Sequence, residues 1–277
     1  MPAINSQASP SNTMPGEGID IAKMPGHWVL ARLGKRVLRP GGVELTRWMI
    51  DSLGIGQDDR VVEFAPGMGR TAQLVLEQNP AVYTAVERDA SATEIVQKWL
   101  NVDNIRRRVF NGSAQQSGLP DACASVLYVE AMLTMASTTH RKQIIEEAFR
   151  VLEPGGRFAL HEVALTQATA NAPGEADHVR KTLTHSIHHK VHPVLINQWI
   201  AMLEEAGFEI QKQKTAPMTL LEPSRIIRDE GLLGAARFLF RLLTRGPERR
   251  RVLEMRRAFR SVRPHMTALS LIAVKPS

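Results

Sequence analysis

The spacing of apolar residues changes character along the chain. HWVLARLGKRVL and then ELTRWMIDSLGI repeat apolar positions at helical intervals and predict two early helices. Short apolar runs then alternate with helical stretches. RVVEFA (60–65), YTAVER (83–88), a segment near RRVF, ASVLYVE (124–130) and RFALHEVAL read as strands. GRTAQLVLEQN, SATEIVQKWLN and HRKQIIEEAFRVL (140–152) read as the helices between them, and a PGG turn precedes the fifth strand. Strands separated by helices imply a parallel sheet, because a parallel neighbour can be reached only by a long crossover. LINQWIAMLEEAGFEI adds a helix and a strand, and HMTALSLIAVKP supplies a closing strand. Residues 1–25, rich in Ser, Asn, Pro and Gly and without periodicity, predict a flexible tail. Residues 26–277 predict one α/β domain with helical cap segments at 26–54 and 165–205 and a helical insertion at 218–262.

Composition narrows the class. With 43% hydrophobic and 23% charged residues over 277, the chain can bury a substantial core, and no stretch has the length and hydropathy of a membrane span. The opening residues lack the basic start and apolar core of a secretory signal, and Cys123 has no second cysteine to pair with. Both observations point to a cytoplasmic protein. The net charge of +7 is concentrated at one end: residues 220–277 carry thirteen Lys/Arg against five Asp/Glu. RFLFRLLTRGPERRRVLEMRRAFRSVR spaces arginines helically among Leu and Phe, which fits a helix on anionic lipid, nucleic acid or acidic protein. A solvated face with arginine stems covering apolar surface fits equally simply and is the preferred reading. Peripheral membrane contact is the second choice.

Candidate chemistry centres on Val61-Val62-Glu63-Phe64-Ala65-Pro66-Gly67-Met68-Gly69-Arg70, where a strand, a glycine turn and a helix meet. Glycines there allow a tight turn and let a ligand approach backbone N–H groups. Glu87 follows Gly67 by twenty residues, at the end of the next strand, where its carboxylate could accept hydrogen bonds from both ribose hydroxyls. Gly67-Met68-Gly69-Arg70-Thr71-Ala72 also fits the dinucleotide fingerprint G-x-G-x-x-A. Glu63 inside the strand, Pro66 before the glycine, and a final strand pair in place of a second mononucleotide half argue against NAD.

These residues resemble the class I S-adenosylmethionine-dependent methyltransferases, particularly the small-molecule branch that includes ubiquinone/menaquinone C-methyltransferases. The likeness covers residues 55–165. It implies a Rossmann-like, mostly parallel seven-stranded sheet with helices on both faces, an antiparallel closing strand, and helical N-terminal and C-terminal additions. It also implies S-adenosyl-L-methionine as cofactor, leaving S-adenosyl-L-homocysteine, and a small-molecule methyl acceptor. Glu63, Ala65, Gly67 and Gly69 match the family's acidic-x-G-x-G-x-G motif. Ala65 replaces the first glycine, which is tolerable if that residue keeps a negative φ. Glu87 matches the ribose-holding acid and Arg88 the residue flanking the adenine. Asn111-Gly112-Ser113-Ala114 matches a Gly-Asp-Ala block, with Ser113 where an aspartate would contact the adenine amine. Glu130 and Ala131, at the end of the fourth strand, match the block lining the methionine end. Arg150 to Arg157 is the most family-like segment and is structural.

Methyl transfer from a sulfonium needs alignment and, for a protonated acceptor, a base. His161 and Glu162 end the fifth strand, where such sheets place ligands, and strand alternation allows at most one of them to face the cleft. His185, His188, His189 and His192 stand at i, i+3, i+4 and i+7, predicting one helical face. A solvated face outweighs zinc there, and no metal site is assigned. His188 is the acceptor-side base candidate, because the resemblance puts this segment over the substrate. His27 and Trp28 are lid candidates, with ordinary packing preferred. Pro217 to Leu221, Phe238 and Phe240 could wall an apolar, quinone-like acceptor, or simply pack in a core. The alternative function is an RNA or nucleic-acid methyltransferase or binding protein using the basic C-terminal region. It is disfavoured by the lack of an Asn-Pro-Pro-Tyr-like block and by only 5% aromatics. A cofactor-binding protein without catalysis also fits, whereas arsenite methylation would need more thiols than Cys123. Acceptor identity, the atom methylated and oligomeric state stay open.

Overall fold

The computed structural model describes residues 18–277 apart from 36–38 and 101–104. Most of the expected tail lies outside the described residues. At its end Met24 is buried, and the N–H groups of Lys23 and Met24 both reach Asp20 O at 2.9 Å.

Two short helices come first, α1 (Gly26–Leu33) and α2 (Val43–Leu53). The first stops earlier than its apolar spacing suggested because Gly34 is left-handed, φ 102°, and its N–H turns back to Ala31 O. The alternating region follows as β1 (Arg60–Phe64), α3 (Arg70–Leu76), β2 (Val82–Glu87), α4 (Ala90–Leu100), β3 (Arg107–Asn111), β4 (Ala124–Glu130) and α5 (Thr138–Val151). Next comes β5 (Leu152–Leu165), which carries the Pro-Gly-Gly excursion within it and resumes pairing with β4 at Arg157 opposite Val126. After it come α6 (Gln167–Ala170), α7 (Glu175–Ile187), a two-residue β6 (Val194–Leu195), α8 (Ile196–Glu205) and β7 (Glu209–Pro217). The chain closes with α9 (Pro223–Thr244), α10 (Gly246–Ser261) and β8 (Met266–Val274).

The sheet runs β3-β2-β1-β4-β5-β8-β7, with β6 a short parallel addition beside β5 that the sequence pattern did not announce. Pairs from β3 to β5 are parallel, and β8 runs antiparallel to both β5 and β7. Central strands are buried on both faces, hence their continuous apolar runs. On one face Leu127, Val129, Phe158 and Leu160 pack against Ile144 of α5 and Trp199 of α8. On the other, Val61, Tyr83, Val126 and Ala159 meet Met49 of α2, Val75 of α3 and Val96 of α4. A third cluster joins α1, α7, α9 and α10 through Leu30, Leu183, Phe238 and Met255. Strand order reverses between β1 and β4, so their carboxyl ends leave a crevice of the kind in which open α/β sheets hold ligands.

Candidate active site

The glycine turn opens that crevice. Beyond Phe64 the backbone is left-handed at Ala65 (φ 57°), Gly67 (φ 55°) and Gly69 (φ 73°). The negative φ expected at Ala65 is therefore not found: the residue replaces glycine in a conformation that disfavours its methyl, held by its N–H to Val86 O at 2.8 Å. A Cβ built on Gly67 meets nothing within 4 Å, so this glycine faces open space. A Cβ on Gly69 would lie 2.0 Å from Trp99 Cζ2, so Gly69 is required by packing. Across the turn, Glu87 Oε2 accepts the Gly67 N–H at 3.0 Å and Oε1 the Asp89 N–H at 2.9 Å. Burial still pushes the Glu87 carboxyl above its ordinary range, outweighing those bonds.

A cavity of about 620 Å³ lies against this turn, bordered by β1, β2, β4 and α1. Of the proposed cofactor contacts, Glu63, Ala65, Gly67, Glu87, Arg88, Ala114, Glu130 and Ala131 all line it. Gly69 and Ser113 do not, and Gln115 is present where Ser113 was expected. Ser113 Oγ instead bonds Gln115 Oε1. Two buried carboxylates on the floor have opposite fates. Glu63 accepts from the Tyr83 hydroxyl, and burial, with smaller pushes from the nearby Glu130 and Glu87 carboxylates, raises it to about 7. Burial would also raise Glu130, but His161 Nδ1 at 2.8 Å, Thr46 Oγ1 at 2.5 Å, the Thr71 hydroxyl and nearby Arg39 hold it at about 2.

None of the three proposed bases lines the cavity. His161 is wholly buried between Glu130 and the Pro40 carbonyl, 2.6 Å from Nε2. Glu162, also wholly buried, accepts the N–H groups of Met132 at 2.7 Å and Leu133 at 2.5 Å and the Thr134 hydroxyl at 2.6 Å. His188 is exposed, and its left-handed φ of 51° ends α7, so the four spaced histidines do not share a helical face. The histidines that do border the cavity are His27, His140 and His189. His27 is lowered to about 4, by burial first and then by His189, against a smaller opposing pull from Asp89. Trp28, Ala31, Met132 and Met135 add apolar lining, and Lys35 borders the cavity beside them. The expected acceptor wall lies elsewhere: Met218, Leu220, Leu221 and Phe238 are core residues, and Phe240 is exposed. His27 and Trp28, the lid candidates, do border the cavity; Ala31 and Lys35 of the same segment were missed because no recognised motif lies near them in sequence.

Residues 61–156 match a family described as a methyltransferase domain. An uncharacterized protein of Haemophilus influenzae is 32% identical over 77% of this chain and 84% of its own length. The chain belongs to the class I S-adenosylmethionine-dependent methyltransferases. It is also 27% identical to the 27-O-demethylrifamycin SV methyltransferase of Amycolatopsis mediterranei, over 62% of each chain. The cyclopropane synthase MmaA2 of Mycobacterium tuberculosis shares the fold, with a TM-score of 0.69 at 13% identity over 89% of this chain and 94% of that one. As a methyltransferase, the protein offers its cofactor a fitting cradle: an open space at Gly67, a carboxylate at the neighbouring strand end, and the arginine of the next position at the rim. Among the described residues no helix is long and apolar enough to cross a membrane.

Proposed function

We propose that the protein is a cytoplasmic enzyme that methylates an apolar, quinone-like small molecule. The observation that carries this reading is one cavity lined both by Glu63, Glu87 and Arg88 and by the apolar side chains of Trp28, Ala31, Met132 and Met135. In this reading Glu87 holds the ribose hydroxyls, Glu63 and the backbone of Ala65 and Gly67 line the turn side, and Arg88, Ala114 and Gln115 border the adenine. Glu130 and Ala131 flank the methionine end. S-adenosylmethionine supplies an electrophilic methyl group. The chain's own residues align the acceptor, with Trp28, Met132 and Met135 excluding water from an apolar ring system. His27, kept neutral by burial, can accept a hydrogen bond from an acceptor hydroxyl, and His140 and His189 stand at the same cavity as alternatives for taking a proton. A hydroxylated apolar acceptor is consistent with the substrate named for the rifamycin relative.

Calorimetric titration with S-adenosylhomocysteine tests the cofactor half. The wild type is expected to bind, and Glu87→Ala to weaken binding by ~100-fold, the equivalent of losing two hydrogen bonds to a charged group. NADH is expected not to bind. NADH binding in place of S-adenosylhomocysteine would overturn the reading.

A further inference from the structure

Helix α9 is broken at Gly231 (φ 73°, ψ 172°), and the two sides of the break differ. Before it, Arg225, Ile226 and Asp229 are buried in the body of the protein. After it, only Phe238 is fully buried, with Ala235 and Leu242 on the same inward stripe. The opposite stripe is also apolar: Leu232, Leu233, Leu239, Phe240 and Leu243 are all more than half exposed, and Leu233 reaches 85%. A helix with apolar stripes on both its inward and outward faces is expected against a second apolar phase on the outer side, not in water.

The charge around this stripe selects the phase. Residues 232–257 contain eight arginines and two glutamates. Arg237 on α9 and Arg249, Arg250 and Arg257 on α10 are exposed, with no carboxylate partner among the described residues. Leu253, itself partly exposed, lies between the last three on the outer face of α10. Pairing with a second copy through the same stripe would bring two such basic surfaces together, which like-charge repulsion opposes. An anionic lipid surface satisfies both features at once, apolar side chains entering the acyl boundary and arginines meeting headgroups.

We propose that the outward face of α9 beyond Gly231, with the arginines of α10, docks the enzyme on an anionic bilayer. Docking is independent of the acceptor reading, because it is measured without turnover. Full-length protein is sedimented with vesicles of phosphatidylcholine alone or of phosphatidylcholine mixed equally with phosphatidylglycerol, at low and high salt. Binding is expected only to the anionic vesicles and to weaken with salt. The double variants Leu233→Ser/Phe240→Ser, which removes apolar anchors, and Arg249→Glu/Arg250→Glu, which reverses two headgroup contacts, are each expected to lose ~10-fold or more in affinity. Both pairs are exposed, so S-adenosylhomocysteine binding by the variants, compared with wild type, separates lost docking from lost fold. Equal binding to neutral vesicles, or wild-type affinity in Leu233→Ser/Phe240→Ser, overturns the proposal. So does a wild-type dimer in analytical ultracentrifugation that this variant converts to monomer, which would assign the stripe to self-association.

Discussion

The two sides of the crevice carry similar residue types and use them differently. On the β1–β2 side, Gly67 meets open space and Glu87 borders the cavity while accepting backbone N–H groups, those of Gly67 and Asp89 among them. On the β5 side, His161 and Glu162 are consumed, one by a carboxylate and a carbonyl, the other by three donors of the loop after β4. Both carboxylates accept loop N–H groups, so what makes one of them available for chemistry is that Glu87 also borders the cavity whereas Glu162 does not. In the second group those bonds position backbone. Met132 shows the effect, its N–H held at the cavity edge by Glu162 Oε1 at 2.7 Å.

The sharpest break of this comparison is Glu162→Ala. Stranding two buried N–H groups and a hydroxyl is expected to cost about 3–5 kcal/mol in urea unfolding, while the folded fraction binds S-adenosylhomocysteine within about twofold of wild type. Normal stability with lost binding would move Glu162 into the site. Smaller is the pH effect of Glu63. Its folded value of about 7 stands above the ordinary 4.5, so its contribution is complete below the ordinary value and is lost as pH rises through about 7. Unfolding free energy is expected to fall by up to about 3 kcal/mol over that window, and Glu63→Gln to flatten the decline. An unchanged slope in the variant would assign the pH dependence to another group. Smallest is Ala65→Gly, expected to raise stability by about 0.5 kcal/mol, the left-handed penalty less the extra chain entropy of glycine. A loss of stability would restore the negative φ that its side chain favours.

The succession of strands and helices and the turn were legible because both are local: period-two and helical spacing mark elements, and a glycine turn with an acid twenty residues on marks a strand pair. The cavity wall was legible only in part: His27 and Trp28 stood out as lid candidates, whereas Ala31, Met135 and His140 join the wall through tertiary packing that leaves no spacing signature in the sequence. Alternation correctly sent His161 and Glu162 to opposite faces. It carried no information about Pro40 or the loop at Met132, whose backbone groups claim them. The histidine stripe failed for a related reason, since periodicity assumes a continuing helix and His188 ends this one.

Lys35 borders the cavity and is sealed against Asp229, 3.0 Å apart with neither side chain exposed, and Asp229 lies two residues before the break in α9. One buried ion pair therefore ties the chamber wall to the pivot of the outer helix. Coupling of that kind is reciprocal in equilibrium terms. If surface attachment shifts the pivot and tightens ligand retention by some factor, a filled chamber must strengthen attachment by the same factor, and the enzyme would leave the surface more readily when empty.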